Sequence, residues 1–273
     1  MRQRLTIHRA AVTFAVAGVL VLGACGDGVT DPTAAPTPKE QLRRALPSYE
    51  QVRSALRDIV EEQNGGLGFD MWAAIVDRDG FVLEVLFSGE TRTSEWPGSR
   101  VIAAQKANTA NAFSLTGFAL STANLYAPTQ PGGSLYGLQE SNPVNPEVAY
   151  GGPPHLYGTK NDPMTGQRIG GVNVFGGGLG LYAADGVLLG AVGVSGDTSC
   201  SDHIIAWKLR HALNLDNVPA GAADGGTTDN IIYDTDATLE GFEHPTCFDT
   251  PGRGDHIQIG QDLPSTHPVG PQP

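Results

Sequence analysis

Apolar positions along this chain recur with two periods, and the switches between those periods mark out its elements. Val52, Leu56, Ile59 and Val60 recur at helical spacing behind Ser48 and Gln51, a capping-box pair. They predict a helix that ends at Asn64-Gly65-Gly66. Residues 71–76 and 81–87 read as two strands joined by the turn Asp77-Arg78-Asp79-Gly80. Residues 99–115 form a second helical stretch, where alanines at 103, 104, 107, 110 and 112 let a neighbouring backbone approach closely. The stretch 175–207 then gives a strand, a tight Asp185-Gly186 turn, a second strand, a glycine-bearing loop and a helix start, with the helix running over about 199–213. Gly193 and Gly196 bracket Val194-Ser195, so N–H groups just before that helix are placed to meet an anion.

The remaining segments follow no such period. Residues 119–171 are rich in Pro, Gly, Asn and Ser, and Tyr136, Tyr150 and Tyr157 argue for packing against the domain. Residues 214–273 are polar and Gly/Pro/Asp-rich, with one strand candidate at 230–233. Hairpins grouped with helices between them predict an α+β domain around an antiparallel sheet of about five strands, flanked by about three helices.

Export changes the picture of the first residues. Arg2, Arg4 and Arg9 precede an apolar run at 10–22, too short and wrongly flanked for a membrane span. The run ends in Leu22-Gly23-Ala24-Cys25, which resembles a bacterial lipobox and implies cleavage before Cys25 and lipidation of its thiol. The expected organisation is a signal peptide at 1–24, a tether at 25–46, a domain at 47–213 and a C-terminal extension at 214–273. The lipid would place the protein at the cell envelope, on the periplasmic or outer-surface side. Cleavage removes those three arginines and no acidic residue, taking the formal charge from −12 to −15. That balance excludes a nucleic-acid partner and leaves the lipid as the hold on the membrane. Cys200 and Cys247 remain as a pair in an oxidising compartment, and a disulfide is the leading reading. It would close a loop of about 45 residues and contribute ~3–4 kcal/mol. The rival is a metal held by Cys247 with His244, His203 or Cys200, for which the spacing alone assigns no site.

Four blocks, in order, resemble the haem-degrading or haem-binding family of HbpS-type and GlcG-type proteins. They are Ala73-Ala74-Ile75-Val76-Asp77 with Asp79-Gly80; Lys106-Ala107 with Thr109-Ala110 and Phe113; Gly177-Gly178-Leu179 with Asp185-Gly186; and Gly190-Ala191-Val192-Gly193-Val194-Ser195-Gly196 followed by Asp202 and Ile205-Ala206. The resemblance implies a profilin-like fold, homo-oligomerisation, and haem or a similar small molecule as ligand. It leaves open whether the chain binds haem, turns over haem or another small molecule, or serves as a non-catalytic scaffold.

Haem needs an axial ligand, an apolar slot and cations or N–H groups for its propionates. Lys106 and Thr109 match the family's helix motif. His203 and His211, at i and i+8 on the last helix, and His155, in the 119–171 insertion, are the other candidates. The bland readings stand beside these: Thr109 bonded to its own helix, His211 complementing the helix C-terminus and Asp202 capping its N-terminus. Ser195 lies in no nucleophile elbow.

Overall fold

The computed structural model describes residues 35–270, so the expected signal peptide and Cys25 lie outside the described residues. Order begins inside the tether expected at 25–46. Thr37 and Glu40 form a capping box that starts α1 (Pro38–Ala45), and Leu42 is fully buried. Its Pro/Thr-rich approach hid one apolar anchor and a competent helix start. Lys39 fixes the helix further by pairing with Asp77 at 3.1 Å. The Ser48–Gln51 box opens α2 (Tyr49–Val60) as its sequence predicts.

Then follow β1 (Trp72–Asp77) and β2 (Val82–Phe87), joined by a turn in which Gly80 takes φ +81° and Asp77 Oδ1 accepts from the N–H groups of Asp79 and Phe81. Next is α3 (Ser99–Phe113). The expected insertion follows, and it is ordered. It carries α4 (Tyr126–Thr129), α5 (Leu138–Ser141), α6 (Pro146–Tyr150) and a 3-10 turn at Pro154–Leu156. The second hairpin is β3 (Gly178–Tyr182) and β4 (Leu188–Ser195), and it leads into α7 (Ser199–Ala212).

The sheet has four strands in the order β2-β1-β4-β3, every pair antiparallel, rather than about five. Residues 230–233 do not supply the fifth. Only Tyr233–Asp234 (β5) pairs, in parallel, with His244–Pro245 (β6), as a separate two-residue ladder. The tail also contains α8 (His256–Thr266), capped by Asp255, which its Gly260 and Pro264 disguise in the sequence.

One apolar cluster joins α1, α2, α7 and α8 to the sheet through residues such as Leu42, Leu56, Ile75, Trp207 and Leu263. A second joins Trp72, Val85 and Phe87 to the alanines of α3 and to Ala149, Met164 and Ile169 of the insertion. The long irregular segment therefore completes a core. α3 lies directly across β4, β1 and β3. A Cβ at Gly193 would press into the Ala103 carbonyl and the Ala107 nitrogen, and one at Gly178 into the Lys106 carbonyl. Glycine on the strands and alanine on the helix thus set how close the two layers come.

Gly193→Ala is accordingly expected to destabilise the chain by about 3 kcal/mol in urea unfolding, because backbone on both sides has to move. Gly117→Ala, where a Cβ meets nothing within 4 Å, is expected to stay within about 0.5 kcal/mol. Equal effects would refute this account of the layer contact.

Candidate functional site

The closeness of α3 brings Lys106 under the end of β4. Its side chain is fully buried, and Nζ donates to Asp202 Oδ2 at 2.5 Å and to the Val194 carbonyl at 3.0 Å. The Phe175 ring lies 4.6 Å from the same nitrogen. Asp202 Oδ1 accepts from the N–H groups of Gly196 at 3.1 Å and Asp197 at 2.9 Å. The N–H groups placed to meet an anion do meet one, and it is the chain's own Asp202. Burial pushes the Lys106 ammonium below its ordinary value and the Asp202 carboxyl up to about 6; each charge holds the other against that pressure. Thr109 Oγ1 donates to the Gln105 carbonyl and accepts from Asn173 N–H. Both motif residues thus sit in the core, with their polar atoms engaged by protein.

The histidines divide in the same way. His203 is fully buried; Nε2 accepts from Ile231 N–H at 3.1 Å, and burial pushes its pKa down to about 3. His244, named from sequence only as an alternative metal ligand, is also buried, takes Gly176 N–H on Nε2 at 3.3 Å, and is pushed down to about 4 by burial. Both are neutral imidazoles that satisfy backbone N–H groups where the tail returns to the domain: His203 takes one from the tail, and His244 of the tail takes one from the domain. His211 is partly exposed and bonded to Asp216 at 2.6 Å, with the ring of His267 edge-on to it. The i, i+8 spacing therefore does not bring His203 and His211 to one site.

His155 stands apart. It is exposed, just after Pro153-Pro154, and lines a cavity of about 740 Å³, within the usual size of a small-molecule site. α2 and the loop after β2 form one wall, and residues 155–161 of the insertion form the other. Arg53 is committed to this wall: its guanidinium donates to the Phe87 and Gly89 carbonyls. Tyr49 Oη reaches across to the Gly158 carbonyl at 2.6 Å. Arg92 and Lys160 are exposed cations on the rim. Arg92 and Tyr157 also line an adjoining apolar recess of about 190 Å³ with Trp72, Pro97, Val101 and Tyr150. The buried Trp72 Nε1 has no hydrogen-bond partner among the described residues. Arg92, Lys160 and the recess had no local signature in the sequence. They meet only because the insertion folds back onto α3.

That return is fastened by buried charge. Arg100 pairs with Asp162 through Nε at 2.8 Å and through Nη2, donates to the Ala149 carbonyl, and stacks 3.7 Å beneath Tyr157. Cys200 and Cys247 form the expected disulfide, which ties the tail to the first turn of α7.

Lys106→Met is expected to cost about 3–5 kcal/mol in urea unfolding, because it leaves the Asp202 carboxylate buried without its cation. A loss below about 1 kcal/mol would mean the pair does not hold this junction together.

Among solved structures, the chain is similar to one described as a PduOC:heme complex, at 26% identity over 61% of this chain and 91% of that one, with a TM-score of 0.42. It is also similar to the Klebsiella pneumoniae protein ORFY, at 24% identity over 60% and 86% with a TM-score of 0.41. A double mutant of Streptomyces reticuli HbpS matches at 20% identity over 73% and 98%, with a TM-score of 0.36. No curated protein matches the chain. The family described as haem degrading protein HbpS-like matches residues 48–209, which span both hairpins, the Lys106 helix and most of α7. The chain belongs to this HbpS-like family.

Proposed function

We propose that this protein binds haem at the cell envelope, in the cavity between α2 and the insertion, and so scavenges, senses or buffers it. The observation that carries the reading is the position of His155. Of the five candidates from sequence, it is the one that is exposed and lines a cavity of ligand size. The donor set fits the group. An imidazole supplies an axial ligand, Arg92 and Lys160 offer cations for propionates, and Phe87, Tyr157 and the Trp72 recess offer apolar surface beside them. The unpaired Trp72 Nε1 adds a buried donor in that recess. Bound haem would supply the iron and the macrocycle; the chain's own residues bind, orient and screen it from water. Lys106 and Thr109 act in this reading by holding α3 in place.

Titrating the purified chain with hemin is expected to shift the Soret band, saturating at one equivalent. His155→Ala is expected to change the band and weaken binding at least about tenfold. Arg92→Ala and Lys160→Ala are expected to weaken binding severalfold with the band unchanged. No Soret shift at micromolar protein would sink the reading, and an unchanged His155→Ala spectrum would remove the iron from this cavity.

The lipid anchor expected at Cys25 completes the placement, since acyl chains hold an acidic protein to a membrane that its charge does not attract. Cys25→Ala is expected to move the chain from the membrane fraction to the soluble fraction. Continued membrane association of that variant would refute the anchor.

A further inference from the structure

The disulfide lies within a wider set of metal-ligating donors. Cys200 is fully buried in the first turn of α7, whereas Cys247 is partly exposed. Cys247 Sγ accepts from Cys200 N–H at 3.3 Å and lies 3.7 Å from Ser199 Oγ, so a thiolate there would meet a helix N-terminus. Beside the pair sits His256, only 3% exposed, in the first turn of α8. Its Nε2 accepts from Cys247 N–H at 3.0 Å, which puts the ring proton on Nδ1, and Nδ1 donates to Asp249 Oδ2 at 2.8 Å. Asp249 is itself held by N–H groups of Gly66 and His256. The two sulfurs and a ring nitrogen of His256 all lie within 4.8 Å of one another.

We propose that reduction of Cys200–Cys247 opens a zinc-type site made of Cys200, Cys247 and His256, with Asp249 as the residue that orients His256. A dithiol or phosphine supplies the two electrons. The S–S bond breaks and two thiols form: a dithiol gives its own two protons and leaves as a disulfide, whereas with a phosphine water gives the two protons and the oxygen of the phosphine oxide. The cation then displaces both thiol protons and takes the Nε2 lone pair, while Cys247 N–H gives up that acceptor. Two thiolates and an imidazole suit a borderline-soft ion such as Zn²⁺ far better than Mg²⁺ or Ca²⁺. The Asp249–His256 bond fixes the tautomer that leaves Nε2 free to ligate, the arrangement common behind zinc-bound histidines. A fourth position is left for water or an added ligand. The neighbouring Asp255 is already used, since Oδ1 caps α8 through Ile257 and Gln258. Cys247 and His256 lie beyond the family-matched residues 48–209 and Cys200 lies within them, so this site joins the extension to the family domain. Metal would keep the tail clamped to α7 once the covalent bond is gone.

The test uses the full chain carrying Cys25→Ala, so that the only thiols are the pair. The chain is reduced anaerobically with a phosphine and titrated with Co²⁺, and then with Zn²⁺ against a chromophoric chelator. One equivalent per reduced chain, with tetrahedral cobalt–thiolate bands, and none per oxidised chain is the expected result. His256→Gln is expected to weaken binding at least about tenfold, and Asp249→Asn about tenfold with one equivalent kept. A reduced chain with native far-UV circular dichroism that takes up no metal at micromolar concentration would overturn the proposal. So would uptake that is the same in His256→Gln, whether that chain is folded or unfolded, because it would show two thiols acting alone.

Discussion

The buried pair of Lys106 and Asp202 is the constraint from which the rest of this structure can be read. It joins residues 96 apart in sequence and ties α3 to the end of β4, to the Gly196–Asp197 loop and to the start of α7. Neither charge would be stable there alone, since desolvation costs each of them several kcal/mol. Together they also satisfy three backbone groups that would otherwise be orphaned at a buried strand-to-helix turn. An apolar pair of equal volume would fill the space but leave those groups unpaired. The same arrangement closes the junction to outside ligands, because its N–H groups are already spent on Asp202.

The device recurs wherever an irregular segment has to be held. Arg100 of α3 takes Asp162 of the insertion, and Arg210 of α7 takes Asp229 of the tail at 2.7 and 2.8 Å, both pairs buried; Lys208 takes the half-exposed Glu62 after α2. Segments rich in Gly, Pro and Asn bury too little apolar surface to offset the entropy of ordering them. Directional, charge-assisted bonds into two well-packed helices supply what such segments lack, and they also fix where each loop returns. Asp197 does the same locally, its carboxylate gathering the N–H groups of Leu67, Gly68 and Phe69.

These returns are also what the sequence could not reveal. The two hairpins, α2, α3 and α7 were legible because each has its own period, caps or turn chemistry, such as Ser48 with Gln51 and Asp185-Gly186. α1 was hidden behind Pro36-Thr37-Pro38, although Thr37, Glu40 and Leu42 contain its start and its anchor. α8 was broken up by Gly260 and Pro264. At the candidate site, chain chemistry brought up Lys106, Thr109 and His203, but their burial depends on partners 96, 64 and 28 residues away. No local pattern encodes a contact across such distances. His155 was visible as a residue; Arg92 and the Trp72 recess became visible as its neighbours only through the fold.

The division between core and rim follows from the same physics. A polar side chain in a dry interior keeps its place only if its hydrogen bonds are complete, and a side chain so bound is poorly placed to take up a ligand without first breaking them. Lys106 and Thr109 are on that side of the division. His155 sits on a wall that is held from two sides: Tyr49 of α2 bonds the Gly158 carbonyl, and Arg100 with Asp162 fixes the insertion from below. A ligand there meets side chains whose backbone is already fixed, so little ordering entropy opposes binding. The buried ion pairs and the open cavity are therefore linked. The charges committed to the core hold the insertion still enough for its exposed residues to form a site.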